Sequence, residues 1–367
     1  MLRIFITILL ILPLYSFSQK EYGYFVSAKS STGILLAHRA NMVHLIQKNP
    51  FAFEVSVLRQ NQDTSALSKR LKYPMKALNV SYFNFGNPDV LGSNFALTKT
   101  YVFPIFSTRS NLFLDYSIGT GIAWITKHYD KFENPKNNAI GSHLNSKFEM
   151  QFNVSHYLKK FHYGLGISFV HFSNGSIQYP NLGINCPNFF VNVGYNFDER
   201  KRQSKNVGLN KKDVFNQYAD HTFSAELIGS VKEVSAVPLE AKRYPVLASR
   251  FSYVYRPGLK WGFETSTDLI YNEANRYYYA NSNYTIGNTL QLGLYAGAVV
   301  YFHKSALFFG GGVYLYDKID VAGKVYKRTG FQYHFSQRFY GSVAIKANFA
   351  KADYLEFGIA YKLIQSE

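Results

Sequence analysis

The sequence predicts an all-β protein, an antiparallel transmembrane β-barrel. Three observations predict it: an export signal at the N-terminus, apolar residues at every second position in run after run, and long links alternating with tight ones. The chain has 367 residues, 47% of them apolar and 17% charged, with 30 Tyr and 32 Phe. That content supports packed structure and excludes a disordered chain. The single cysteine, Cys186, excludes an intramolecular disulfide and a Cys-based metal site, and reads as a small apolar filler. Beyond the N-terminus there is no run of about 18 apolar residues, which argues against a helical membrane protein.

The export signal comes first. Arg3 precedes an apolar stretch from Ile4 to Leu14, followed by Ser16-Phe17-Ser18. A charged start, an apolar core and a small-residue end make a secretory signal over residues 1–18. The apolar core is short for an anchor helix and contains Pro13.

The strands follow. From Leu112 the even positions read Leu112, Leu114, Tyr116, Ile118, Thr120, Ile122 and Trp124, against Asp115, Ser117, Gly119 and Gly121 between them. Phe148, Met150, Phe152 and Val154 alternate with Glu149, Gln151, Asn153 and Ser155. Near the C-terminus Leu355, Phe357, Ile359, Tyr361 and Leu363 alternate with Glu356, Gly358, Ala360 and Lys362. A soluble sandwich also alternates. Here the second face carries Gly, Ser, Asn and isolated charges, while the apolar face is rich in aromatics, as in a barrel with lipid outside. Strands are expected near 33–40, 51–59, 78–86, 94–105, 110–126, 144–158, 161–173, 187–197, 221–232, 246–256, 259–271, 288–302, 305–316, 325–336, 338–348 and 353–363.

The links set the topology. Those at 159–160, 257–258, 303–304 and 337 are tight, and those at 127–143, 174–186, 233–245 and 272–287 are long. Short periplasmic turns and long external loops give this rhythm. Residues 198–220 break it, with Asp198-Glu199-Arg200-Lys201-Arg202 and Lys211-Lys212-Asp213 where a short turn is expected. Two architectures follow: one barrel of about 14–16 strands with an unusual loop, or two 8-stranded barrels in tandem joined by a linker. The single barrel is preferred because two barrels in one chain are rare. On either reading, 33–197 forms one half, 198–220 a charged linker or loop, and 221–367 the additional strands.

The chain lacks a phosphate loop, a zinc-protease helix, a GxSxG elbow and an EF-hand loop. The formal charge is +17. Export makes nucleic acid an unsuitable partner and leaves anionic lipid or lipopolysaccharide phosphates. The run from Phe161 is where chemistry concentrates. Its odd positions, Phe161, Tyr163, Leu165, Ile167 and Phe169, form the lipid-facing side, and His171 and Ser173 continue that phase. Residues at i and i+2 share a face of a strand. At an outer-leaflet strand end, a serine next to a histidine suits acyl transfer, because the hydroxyl needs a base to accept its proton. Asn185 has the same phase on the next strand, and a third group is needed to hold the imidazole by its other nitrogen. The alternative reading is that His171, Ser173 and Asn174 only cap a strand and begin a turn.

His171-Phe172-Ser173-Asn174 followed by Pro180-Asn181-Leu182-Gly183-Ile184 resembles the motif of the lipid A 3-O-deacylase and acyloxyacyl-hydrolase-like family of outer-membrane β-barrels. The likeness extends more loosely from about Gly33 to Phe197, including a loop with Asp130, Asn134, Asn137-Asn138 and Gly141-Ser142. It implies that Ser173 is the nucleophile and His171 the general base. It implies that Asn181 stabilises the oxyanion, with a backbone N–H near Gly175 or Ser176 as companion, and that Asn174 shapes the turn. The family's third residue is a Glu; here that position is Asn185. An Asn can orient an imidazole but lends no charge. Slower chemistry is expected, or a substitute acid, Asp130 or Glu133, reaching in from the neighbouring loop. Neither a cofactor nor a metal is required.

The sequence reading is therefore an outer-membrane serine esterase acting on lipid A or a related outer-leaflet lipid. Two alternatives remain open: a non-catalytic pore or structural barrel with a degenerate site, and an outer-membrane phospholipase. The remaining histidines, among them His38 and His44, read as surface or lumen residues.

Overall fold

The computed structural model describes residues 22–61, 65–108, 110–197, 202, 220–234, 242–279, 284–319, 323–349 and 351–366. The export signal (1–18) lies outside them, as does the charged segment apart from Arg202 and Asp220. Sixteen strands are present among the described residues. The first eight are β1 (Tyr22–Gly33), β2 (Phe51–Asn61), β3 (Met75–Asn84), β4 (Ser93–Ser107), β5 (Leu112–Ile125), β6 (Leu144–Tyr157), β7 (Phe161–Ser173) and β8 (Ile184–Asn196). The others are β9 (Asp220–Glu233), β10 (Arg243–Arg256), β11 (Trp261–Asn272), β12 (Leu290–Phe302), β13 (Ser305–Asp317), β14 (Val325–His334), β15 (Phe339–Asn348) and β16 (Lys351–Ser366).

All neighbours are antiparallel, and the chain closes twice. β8 returns to β1, from Phe25 opposite Asn196 to Gly33 opposite Asn188. β16 returns to β9, with Phe357 opposite Gly229. The chain therefore forms two closed eight-stranded barrels, and the expectation of one wide barrel is corrected. The reason lies in the inner faces, which are filled to the scale of a small barrel.

In the first barrel Lys29 and Lys147 alternate with Glu54 and Glu149 in a ring of ion pairs at 2.9–3.2 Å. On the site side of that ring an apolar plug includes Met42, Leu45, Phe83, Phe85, Phe172 and Cys186, all almost fully buried. Towards the other end Arg202 enters the lumen, pairs with Asp115 through both nitrogens and lies over the Phe113 and Tyr157 rings. In the second barrel Arg328 makes two bonds to Glu356 and one to Asp268, and Arg250 sits among Glu226, Glu264, Asp268 and Glu356.

The expected faces hold. Asp115, Ser117, Lys147, Glu149 and Glu356 are buried inside, while Ile122, Trp124, Phe152, Phe357 and Ile359 are exposed outside. All but the first expected strand fall on an observed one. The strand expected at 33–40 is displaced: β1 is Tyr22–Gly33, and Ala40–Leu45 is a 3-10 helix. Beyond β1 the chain runs on with the Ile34 and Leu36 N–H groups bonded to the Pro187 and Asn185 carbonyls, and then takes the helical turn that buries Met42 and Leu45 in the plug. A strand of 13 residues at ~3.3 Å each, tilted as in outer-membrane barrels, spans the ~30 Å hydrocarbon layer.

The barrels touch side by side. The outward rings of Tyr101 and Phe103 on β4 pack on Phe302 at the end of β12, with centroids 4.6 and 5.7 Å away. Ser68 and His303 hydrogen-bond at 2.9 Å on the same side.

Candidate active site

Pairing register builds the site. β7 and β8 place His171 directly opposite Asn185. Opposed residues on one face of an antiparallel pair have their Cβ atoms about 5 Å apart, close enough for side-chain contact. The His171 Nδ1–H donates to Asn185 Oδ1 at 2.7 Å. On the other side of the ring, Nε2 is 3.0 Å from Ser173 Oγ. With the proton on Nδ1, Nε2 carries a lone pair towards the serine hydroxyl, as a general base requires. Ser173 is buried and His171 and Asn185 are half-buried. On the same outward face, next to them or further along the strands, lie exposed Ile34, Leu36, Phe169 and Phe189.

Gly183 explains part of the local sequence. Its φ of +78° is strained for any residue with a side chain, and a Cβ there would lie 2.8 Å from His171 Cε1 and 3.1 Å from the Phe172 carbonyl oxygen. The backbone comes so close to the imidazole that only glycine fits.

The link between β7 and β8 carries the other expected residues. Asn181 Oδ1 accepts from the Asn174 backbone N–H at 3.0 Å. Its Nδ2 makes no hydrogen bond among the described residues and is a donor with capacity to spare. The Asn174 Nδ2 donates to the Gln178 carbonyl at 2.7 Å and to Ser142 Oγ at 3.1 Å, so the side chain spans the turn. Gly175 and Ser176 have φ of +62° and +68°. They sit at the centre of a tight turn in which the Ile177 N–H donates to the Asn174 carbonyl at 3.3 Å.

The second barrel grips this link. The Glu233 N–H donates to the Ser176 carbonyl at 3.0 Å, and Glu233 Oε2 accepts from the Tyr179 N–H at 2.8 Å. Ser176 Oγ donates to the Ala352 carbonyl at 2.9 Å. A side chain on Gly175 would enter Leu355, with its Cβ 2.2 Å from Leu355 Cγ.

The loop from 126 to 143 packs beside the site. The Gly183 N–H donates to the Ala139 carbonyl at 2.9 Å, and Asn137 is fully buried with bonds to the Lys127 and Val90 carbonyls. Asp130 Oδ1 accepts the N–H groups of Phe132 and Glu133 at 2.7 and 2.9 Å, and these bonds hold its carboxyl below the usual range. Glu133 is exposed. Among the described residues, neither carboxylate is joined to His171 by a hydrogen bond or ion pair. No group of three or more His, Cys, Asp or Glu is arranged for a metal among the described residues.

One residue escaped the sequence reading. Asn185 Nδ2 donates to His38 Nδ1 at 3.0 Å, extending the chain to Ser173–His171–Asn185–His38. The signal was phase. On β1 the even positions face outward, and Ile34, Leu36 and His38 continue them past the strand end.

A family profile described as lipid A 3-O-deacylase (PagL) matches residues 60–207. One described as acyloxyacyl hydrolase, C-terminal domain, matches residues 221–366. No curated protein matches the chain. Among solved structures, the outer membrane enzyme PagL is 13% identical with a TM-score of 0.32, covering 45% of this chain and 97% of that one. CdiB from Acinetobacter baumannii is 10% identical with a TM-score of 0.20, covering 94% of this chain and 60% of that one. A Rhodopseudomonas blastica porin variant is 6% identical with a TM-score of 0.18, covering 93% and 99%. The profile matches fall one on each barrel, and the chain belongs to the lipid A 3-O-deacylase and acyloxyacyl hydrolase family of ester hydrolases.

Proposed function

We propose that this outer-membrane lipid A deacylase works as a serine esterase, with Ser173 as nucleophile and His171 as general base. The observation that carries the reading is the hydrogen-bonded line from Ser173 Oγ through both nitrogens of His171 to Asn185 Oδ1. The Ser173 oxygen attacks the carbonyl carbon of an ester-linked acyl chain while its proton passes to His171 Nε2. The negative oxygen that forms is met by Asn181 Nδ2 and by backbone N–H groups at Gly175 and Ser176. Donors of this kind contribute about 3–4 kcal/mol each in serine hydrolases. The bond from the carbonyl carbon to the sugar oxygen then breaks, and that oxygen takes the proton from His171. Water, deprotonated by His171, releases the fatty acid and restores Ser173.

The surroundings suit a lipid substrate. Exposed Ile34, Leu36, Phe169 and Phe189 place apolar surface beside the serine, where an acyl chain lies without leaving the bilayer. Asn185 keeps the proton on Nδ1, which the base needs, yet brings no negative charge to the imidazolium. The reaction is therefore slower than with a carboxylate in that place.

A fluorophosphonate probe tests the nucleophile. The expected result is one adduct, on the peptide containing Ser173, lost in His171→Ala. An adduct elsewhere, or none on a protein that still releases fatty acid, would overturn the assignment.

A further inference from the structure

We propose that His38 is a positioning residue: it holds the Asn185 amide so that the carbonyl oxygen, and not the NH2 group, faces His171. The inference rests on the roles given to Ser173 and His171 above. A carboxylate in place of Asn185 would offer His171 an oxygen whichever way it turned. An amide does not. Rotated by half a turn, it would point N–H groups at His171 Nδ1, which would then have to accept. The proton would move to Nε2, and the base would lose the lone pair that takes the Ser173 proton. Replacing the oxygen-bearing partner in this way is costly in serine hydrolases because it selects the wrong tautomer.

The structure supplies a partner for the other end of the amide. Asn185 Nδ2 lies 3.0 Å from His38 Nδ1, while Oδ1 lies 2.7 Å from His171 Nδ1. His38 is exposed, so its Nε2–H can be left to water while Nδ1 accepts. The position is built rather than incidental. The Ile34 N–H donates to the Pro187 carbonyl at 3.1 Å and the Leu36 N–H to the Asn185 carbonyl at 2.9 Å. These bonds carry β1's outward phase up to His38, beside Asn185. Just beyond, Met42 and Leu45 are fully buried in the barrel plug and fix the segment from the other side.

Fatty-acid release kinetics with His38→Ala, His38→Asn and Asn185→Glu test this, each variant being checked for the heat-modifiable migration of a folded barrel. His38→Ala should lower kcat about tenfold with KM unchanged, the effect of one lost hydrogen bond to the positioning group. His38→Asn should restore most of that loss, because its Oδ1 stands close to where Nδ1 was. In the Asn185→Glu background, His38→Ala should change kcat less than about twofold, since a carboxylate needs no orienting. The same comparison with Asn185→Asp covers a glutamate that fits poorly. An equal loss in all backgrounds, a rise in KM alone, failure of His38→Asn to rescue, or no loss at all would overturn the proposal. Full activity in Ser173→Ala would instead show that the underlying serine mechanism is wrong.

Discussion

Glu233, the last residue of β9 in the second barrel, accepts a hydrogen bond from the Tyr179 N–H, six residues after Ser173 in the first, at 2.8 Å. The link that bears the proposed oxyanion donors is thus anchored by a barrel that contributes no member of the Ser173–His171–Asn185 line. Glu233→Ala leaves the half-buried Tyr179 N–H without its acceptor, and the loss of one such hydrogen bond costs about 0.5–1.5 kcal/mol. The expected outcome is a folded protein whose kcat for fatty-acid release falls several-fold. Unchanged kcat would mean that the link holds its shape without the second barrel.

Gly183→Ala is expected to be more damaging. The added Cβ meets His171 Cε1 at 2.8 Å, and φ is +78°. A left-handed conformation costs a residue other than glycine about 1–2 kcal/mol. The imidazole must also turn away from Ser173 Oγ. Steady-state kinetics should show kcat reduced far more than thermal stability, and an equal retention of both would show that the ring has room to move.

Asn185→Glu is predicted to raise kcat about tenfold, because a charge-assisted hydrogen bond exceeds a neutral one by roughly 1 kcal/mol or more. Asp130→Ala and Glu133→Ala should stay within about twofold, as surface changes do. Asp130 spends its Oδ1 on its own turn, and Glu133 is exposed. A large loss in either alanine variant, with no gain in Asn185→Glu, would show that a loop carboxylate orients His171.

The filled lumina predict electrical silence. The first is occupied by the Lys29–Glu54–Lys147–Glu149 ring and an apolar plug, the second by Arg250 and Arg328 among four acids. Planar-bilayer recordings should show no steady open-channel steps. Regular conductance steps would restore the pore reading.

Period-2 alternation made the faces legible, because each lipid-facing position must be apolar whatever the rest of the chain does. It also placed His171, Ser173 and Asn185 on one side before any coordinates. Closure was not legible. Whether β8 pairs with β1 or continues into a wider sheet depends on lumen packing between distant residues such as Lys29 and Glu149. The first strand was displaced: β1 ends at Gly33, and the turn that follows at 40–45 buries Met42 and Leu45 in a plug formed by distant residues. His38 and Glu233 reach the site only through tertiary pairing. His38 could have been found by extending the outward phase of Ile34 and Leu36, whereas nothing local to Glu233 points to Tyr179.

The proposed mechanism makes lipid A deacylation depend on Ser173. Mass spectrometry of lipid A from cells producing the wild-type chain, beside cells producing Ser173→Ala, tests it most directly. With Ser173 as the nucleophile, lipid A loses one acyl-chain mass with wild type and stays intact with Ser173→Ala, both proteins reaching the outer membrane as folded barrels. Identical lipid A from the two strains would contradict it, and phospholipid profiles from the same cells would then show whether a glycerolipid is cleaved instead.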